Sequence, residues 1–301
     1  MVAPRWIGHD LLLREAVLSG VLRNVEPLRI GAGRTPAKLA ALTDLELIRI
    51  TIDGKPTPYV PGSSLKGLIR TIATRLARSK GLRVCEGLSK QNCIDRFRDE
   101  FKRLVEDPSK AIELRKFIWE KTCLLCKVFG APSYLSHTFF SDAYPIGEPM
   151  LGVKPGVAIS RRTGTVKRGS LFFIEYVAPG CKFPFEVRVT NLPNYALALL
   201  AACFIEVHEG RERIGGFKTR GFGRVRLEDL KLSLWGEIEF RDDVAILKPL
   251  DDHDFEFNVG KVGKQDNKIV IEGNEATRLL YSLAKAWYSF NASKVEYPVE
   301  G

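Results

Sequence analysis

Long apolar runs are missing from this 301-residue sequence. Nowhere do the roughly 18 consecutive apolar residues of a membrane-spanning helix occur. The N-terminal stretch VAPRWIGHDLLLREAV carries charges on both sides of its short apolar run, so it lacks the pattern of a secretory signal. The expectation is a cytoplasmic protein without a membrane partner. Glutamine is nearly absent: Gln91 and Gln265 are the two examples, which leans toward a hyperthermophilic source. Histidine is sparse as well. His9, His137, His208 and His253 are scattered, and no Ser/His/Asp or Cys/His set accompanies them. His208, near the end of an expected helix, reads as a structural histidine, and the dipeptide His9-Asp10 has no metal-site context. Internal repeats, low-complexity tracts and long linkers are also absent, which excludes solenoids and disordered arrays.

What is present is a globular composition with an excess of positive charge. Hydrophobic residues make up 45%, ample for a core. Forty-six Lys and Arg face 36 Asp and Glu, a formal charge of +10 and a pI near 9.3, which suits a polyanion partner without demanding one.

Residues 14–23 alternate apolar and polar side chains as a first strand, followed by the turn-rich GAGRTPAK at 31–38 and a second strand over about 44–52. After PTPYVPGSS, whose serines offer a cap, Leu65, Leu68, Ile69, Ile72, Ala73, Leu76 and Ala77 recur at helical spacing. The other face of this helix carries Lys66, Arg70, Arg75, Arg78 and Lys80, a stripe that is either solvated or turned to a phosphate backbone. From 82 to 126 dense charge, two short helices (94–106 and 108–122) and four of the six cysteines suggest an insertion. A strand-turn-strand unit over 157–177 follows, turning near Thr163-Gly164, then a strand at 184–190 and a helix capped by Asn194 and closed by Gly210. A Gly-rich loop leads to a strand at 223–234, and the last 67 residues form an extension ending in a helix over about Asn274–Phe290. Strand, helix, strands, helix, strand without alternating βα units predicts an α+β sandwich of ferredoxin or RRM type, a common RNA-binding platform.

Cys85, Cys93, Cys123 and Cys126 follow C-x7-C-x29-C-x2-C, and the CxxC supplies two thiolates on one turn, half of a tetrahedral zinc site. His137 is a possible substitute for one thiolate, and buried free thiols or a disulfide are the alternatives. Four protein ligands leave no open position, so such a metal would hold the insertion together. Cys181 and Cys203 read as core residues. The segment IGGFKTRGFGRVRL at 214–227 gathers four glycines with Lys218, Arg220 and Arg224, letting backbone amides and cations approach phosphates. It lacks the Walker pattern, and no helix pattern follows it as a Rossmann fingerprint requires.

Taken together, PGSSLKGLIR at 61–70, CLLCKVFGAP at 123–132, FFSDAYP at 139–145, ISRRTGTVKRGSLFFIEYVAPG at 159–180 and GGFKTRGFGRV at 215–225 resemble the RAMP proteins of CRISPR systems. Within that superfamily the chain is most similar to the backbone subunit of type III effector complexes. The resemblance spans about 14–232 and implies a modified ferredoxin-like/RRM-like core over 1–235. That core would carry the zinc-bearing helical insertion at about 82–130 and a thumb hairpin at about 157–177, with a C-terminal extension over 236–301 packed on it. It also implies guide RNA, complementary target RNA, further copies of the chain and other effector subunits as partners.

By the same resemblance the loop after the first strand ends in a carboxylate that cuts target RNA, which is Asp44 here, with Glu46 and Asp53 as fallbacks. A divalent ion such as Mg2+ or Mn2+ would be required. Lys66, Arg70, the hairpin residues Arg161, Arg162, Lys167 and Arg168, and Lys218, Arg220 and Arg224 would contact RNA. A filament subunit that does not cut and a metal-independent guide-processing nuclease are the competing readings. The poor histidine supply and the CxxC insertion count against the latter.

Overall fold

Burial along Arg14–Asn24 falls on Arg14, Ala16, Leu18, Leu22 and Asn24, the two-residue period of a strand covered on one face. This strand, β1, is the centre of the fold in the computed structural model, which describes residues 3–32, 45–262 and 268–295. A short hairpin of β2 (Arg49–Ile52) and β3 (Lys55–Pro58) precedes the long helix α1 (Gly62–Ser79). Four short helices follow: α2 (Cys93–Arg96), α3 (Arg98–Val105), α4 (Ala111–Lys121) and α5 (Leu124–Phe129). Next come β4 (Thr138–Phe140), a second hairpin of β5 (Leu151–Gly156) and β6 (Phe172–Val177), β7 (Lys182–Thr190), α6 (Asn194–His208) and β8 (Val225–Gly236). The C-terminal part contributes β9 (Ile238–Arg241), β10 (Val244–Leu247), β11 (Phe257–Lys261), β12 (Lys268–Glu272) and α7 (Gly273–Ser289).

The central sheet runs β12-β8-β1-β7-β4 with every pair antiparallel. Read along the chain, β1, α1, β4, β7, α6 and β8 form a βαββαβ unit in the spatial order fourth, first, third, second. That is the ferredoxin-like arrangement expected from the element order. Helix α6 is apolar nearly all round and buries every residue from Asn194 to Ile205, as a helix packed on several sides must. It is held between the sheet, α1 and α7.

The structure corrects several local expectations. Helix α1 begins after Pro61 with no serine cap; the Asp142 carboxylate accepts from the Gly62 N–H at 2.7 Å instead. Asn194 is the first residue of α6, not its cap. The carboxylate of Asp254 accepts from the Asn194 and Tyr195 N–H groups at 3.0 and 3.2 Å, while the Asn194 side chain accepts from buried Arg14 at 2.7 Å. The residues after 235 add β12 to the central sheet and lay α7 on α6, so they complete the core rather than rest on it. The strand expected over 44–52 is β2 alone, and the strand-turn-strand unit is longer than expected. Its strands pair from Leu151↔Val177 to Gly156↔Phe172, and 157–171 form the outer end around an Ile159–Val166 bridge.

Candidate nucleic-acid interface and candidate metal centre

Between β1 and β2 the chain is stitched to the β5–β6 hairpin on both sides of residues 33–44. Before them, Leu28 exchanges backbone hydrogen bonds with Val177 at 3.0 and 2.8 Å. After them, Leu45 bridges Ile174, and the Leu45 carbonyl accepts from the Glu175 N–H at 3.2 Å. The two sides also meet each other, through the Gly31–Leu47 bridge and the Ile48 N–H bond to the Ile30 carbonyl at 2.8 Å. The Glu175 carboxylate accepts from Leu47 N–H at 3.0 Å and pairs with Arg49. Asp44 lies outside the described residues, but its neighbour Leu45 is fixed at this junction. Glu46 is half-buried here, with its carbonyl accepting from Arg29 at 3.4 Å, whereas Asp53 sits at the exposed turn of the β2–β3 hairpin.

The Gly-rich loop closes the third side of the junction. Gly216 donates to the Arg29 carbonyl at 2.8 Å and Gly223 to the Pro27 carbonyl at 2.9 Å. Gly215 has φ +82°, and a Cβ there would run into the Arg29 carbonyl, so only glycine lets the two backbones lie this close. Arg213 clamps the Glu26 carboxylate in a bidentate pair at 2.7 and 3.0 Å. Of the three cations expected to face RNA, Lys218 and Arg220 are exposed. Arg224 instead packs its side chain against Gly210 at the end of α6, with Nε buried.

At the outer end of the hairpin Arg161, Arg162, Lys167 and Arg168 are all exposed. The cations of α1 contrast with them. Arg70 donates to the Gly130 carbonyl at 3.2 Å, lies 3.9 Å from Cys126 Sγ and covers the Phe129 ring. Arg75 pairs with Glu212, Arg78 with Glu86, and Lys80 donates to the carbonyls of Tyr288 and Phe290 at the end of α7. Lys66 is half-buried, and burial together with neighbouring Arg70 lowers its pKa. The stripe is therefore largely an intramolecular one, and Arg70 is engaged by the cysteine-bearing segment.

The four cysteines of the insertion come together. Their sulfurs lie within 4.8 Å of one another, all four are buried, and Cys85 Sγ stands 3.3 Å from Cys126 Sγ and 3.7 Å from Cys123 Sγ. These separations exceed a disulfide bond of about 2.05 Å and lie close to the roughly 3.8 Å edge of a tetrahedral Zn–S4 site. Hydrogen bonds with the other three thiols hold the Cys123 thiol well below its ordinary range, the direction that favours a metal-binding sulfur. Four thiolates around a divalent ion would leave two negative charges, and buried Lys127 and half-buried Arg70 lie beside the cluster. Burial pushes the Lys127 ammonium down and the thiolates oppose this. The cluster can hold a metal ion, closed to any further ligand.

His137 is not part of that cluster. Its Nδ1 donates to the Thr190 carbonyl at 3.0 Å, its Nε2 lies 3.1 Å from the Tyr134 hydroxyl, and its ring stacks on His9 at 4.2 Å. Cys203 is buried in the core as expected, while Cys181 is half-buried. Sequence reasoning missed Arg29, Lys127 and Phe217. The signal was there for two of them: a lone cation in the apolar PLRIG, and another directly after the CxxC.

Comparison with known proteins agrees with this architecture. A family model described as RAMP superfamily matches residues 21–226, from within β1 to the start of β8. The chain is 27% identical over 231 residues to the CRISPR system Cms endoribonuclease Csm3 of Methanocaldococcus jannaschii, covering 72% of this chain and 80% of that one.

Proposed function

Because the chain belongs to the RAMP superfamily, we propose that it is a guide-RNA-binding backbone subunit of a type III CRISPR effector complex that cleaves complementary target RNA in the cytoplasm. The observation that carries this reading is the junction itself. The described residues on either side of 33–44, Gly31 and Leu45, are held at the junction with the β5–β6 hairpin and the Gly-rich loop, that loop carries exposed Lys218 and Arg220, and Asp44 directly precedes Leu45 in the sequence. Likeness to a relative named an endoribonuclease supports the same reading.

RNA would be held by backbone and shape rather than by sequence, which the guide supplies. Lys66, Arg161, Arg162, Lys167, Arg168, Lys218 and Arg220 are the assigned contacts, with the β5–β6 hairpin as the thumb. Arg70 and Arg224 act indirectly, by fixing the insertion and the loop. Val157, Ile159, Val166 and Leu171 stand 44–61% exposed around the hairpin end. Such a row suits docking on a different surface of the next copy, a head-to-tail contact that leads to open assemblies.

The four cysteines are assigned a structural zinc, which their sulfur donors, burial and spacing fit. For cleavage, Asp44 takes the proton of the ribose 2′-OH. The freed oxygen attacks the adjacent phosphorus and the 5′-oxygen leaves, taking a proton from water, giving 2′,3′-cyclic phosphate and 5′-OH ends. Mg2+ or Mn2+ typically needs one or two carboxylates and otherwise uses substrate phosphates, so the Asp44 carboxylate together with an RNA phosphate would suffice to hold it. Bound there it would stabilise charge on the phosphate.

The test is cleavage of labelled RNA complementary to a bound guide, by wild type and Asp44→Ala, with Mg2+, Mn2+ or EDTA, alongside gel-shift binding. Metal-dependent cuts that vanish in the variant while binding persists support the reading. Binding without cuts by either protein leaves a scaffold subunit, and no binding at all removes the RNA role.

A further inference from the structure

Both glycines of β5 lie under aromatic rings. Gly152 faces Tyr176 and Gly156 faces Phe172 across the hairpin, and a Cβ at either position would run into ring atoms. Between them Lys154 is exposed, its Nζ 5.5 Å from the centre of the Phe222 ring. The aromatic row continues into the Gly-rich loop. Phe172 stacks on Phe217 at 6.5 Å with an interplanar angle of 23°, Phe217 leans on Phe222 at 5.8 Å, and Tyr176 meets Phe222 edge-on at 5.9 Å. Phe217 is held in the left-handed backbone region at φ +58°, a costly conformation for a bulky side chain and one that persists where the surroundings impose it. The guanidinium groups of Arg29 and Arg220 lie 5.5 and 5.6 Å from the centre of its ring.

Packing explains part of this arrangement. Phe222 and Arg29 are both buried, and the Arg29 carbonyl accepts from the Gly216 N–H, tying the loop to the segment after β1. Packing does not explain why exposed Arg220 is drawn over Phe217 or why exposed Lys154 is drawn toward Phe222, since both cations have water as an alternative. A planar guanidinium on a half-buried ring, beside a second cation and at the edge of the junction, is the combination that receives a nucleobase and its phosphate.

We propose that Phe217 and Arg220 form a stacking station for one nucleobase of the RNA strand drawn through the junction, with Lys154 facing that nucleotide's phosphate. This inference rests on the RNA-binding reading and adds to it a contact that recognises the base plane rather than the backbone. Stacking on an aromatic or guanidinium plane is worth about 1–3 kcal/mol per base and is tolerant of sequence, because every base has a π face. It differs from phosphate contacts in salt dependence: a lost phosphate contact flattens the plot of log K against log salt, and a lost stack does not.

The experiment measures binding of a labelled single-stranded RNA and of the same backbone with abasic sites, across a salt series. It uses the full chain as wild type, Phe217→Leu, Phe217→Tyr and Arg220→Lys, with thermal melts as a check on folding. Wild type should prefer the base-bearing strand. Phe217→Leu should lose about 5- to 100-fold on that strand, with an unchanged salt slope and unchanged affinity for the abasic strand. Phe217→Tyr should bind as wild type does. Arg220→Lys, at an exposed position, keeps the charge and should lose base preference alone, which preserves the test if Phe217→Leu misfolds. Equal losses on both strands, or wild-type base preference in Arg220→Lys and a folded Phe217→Leu, would overturn the station while leaving RNA binding intact. If wild type binds neither strand, the RNA reading and the station fall together.

Discussion

Around the cysteine insertion positive charge is turned inward, and at the β5–β6 hairpin it is turned outward. Arg70 is drawn to the sulfur cluster, Lys127 is buried over the Trp119 ring, and Arg75, Arg78 and Lys80 are engaged by Glu212, Glu86 and the end of α7. Arg161, Arg162, Lys167 and Arg168 stand exposed at a hairpin end whose apolar residues Val157, Ile159, Val166 and Leu171 are exposed as well. A net charge of +10 therefore says little about where a polyanion sits. The partners that each cation already has say much more, because a guanidinium holding a carbonyl or thiolate must give up that contact before it takes a phosphate.

If the insertion side is about stability and the hairpin side about binding, substitutions should separate cleanly. The largest effect is expected from Cys123→Ser, which removes a sulfur from a buried set of four. Structural zinc sites contribute folding energy outright, so the loss should reach about 4 kcal/mol or more, together with loss of one bound zinc per chain by metal analysis. Strong chelation should lower the melting temperature of the wild type in the same direction. An unchanged melting temperature with unchanged metal content would remove the metal centre from the account.

The mirror experiment is the quadruple replacement of Arg161, Arg162, Lys167 and Arg168 by Ala. All four are exposed, so stability should move by less than about 1 kcal/mol. If each meets one phosphate of a single strand, the slope of log K against log salt should flatten by about 3, with a loss of affinity on the order of 100-fold at low salt. A variant that binds RNA with the wild-type slope would show that the hairpin faces something else. A large fall in stability would break the contrast between the two regions.

The sequence carried the hairpin, the cysteines and the order of elements, because each is written locally: alternation, turn residues and CxxC spacing. It did not carry the partners of long side chains. Arg70 sits on the α1 face that helical periodicity assigns to solvent, yet the α5 end and Gly87 close over it, a contact between segments some 17 to 60 residues away along the chain. The caps failed for the same reason. Ser63 and Ser64 match the local pattern of a helix start, but Asp142 and Asp254 reach α1 and α6 from about 60 to 80 residues away. Likewise nothing local in residues 236–301 announces that β12 joins the central sheet. The fold class was legible because it follows from element order; the interface was only half legible, because exposure is decided by tertiary packing.

Two neighbours on α1 sharpen the comparison at single-residue resolution. Arg70→Ala removes a charged donor to Gly130 and a cation beside Cys126, and should cost about 2 kcal/mol of stability. Lys66→Ala, one turn away and half-buried, should cost less than about 1 kcal/mol and lower RNA affinity by a few-fold. Urea unfolding and a gel shift on both variants decide the point. The reverse pattern, with Arg70 affecting only RNA and Lys66 only stability, would mean that α1 faces the strand through Arg70 after all.

The smallest effect tests whether the packed side also sets the response to acid. His137 is buried between Tyr134, His9 and the Thr190 carbonyl, and burial lowers its pKa from 6.5 to about 3. The folded state thus keeps this ring neutral where the unfolded state takes up a proton. The stability it contributes is fully present above pH 6.5 and is lost as pH falls from 6.5 toward 3. One unit below 6.5 the loss is about 1.4 kcal/mol, or roughly 3–5 °C in melting temperature. His137→Gln keeps a donor for Thr190 without a titrating ring, so its melting temperature should fall less between pH 7 and 5.5 than that of the wild type. Stacked His9, whose pKa burial also lowers, adds to the wild-type slope and remains in the variant, so the curve should flatten without becoming level. Identical slopes in the two proteins would place the acid-sensitive packing elsewhere. A flattened slope would put it beside the insertion, on the side of the molecule whose polar groups face inward.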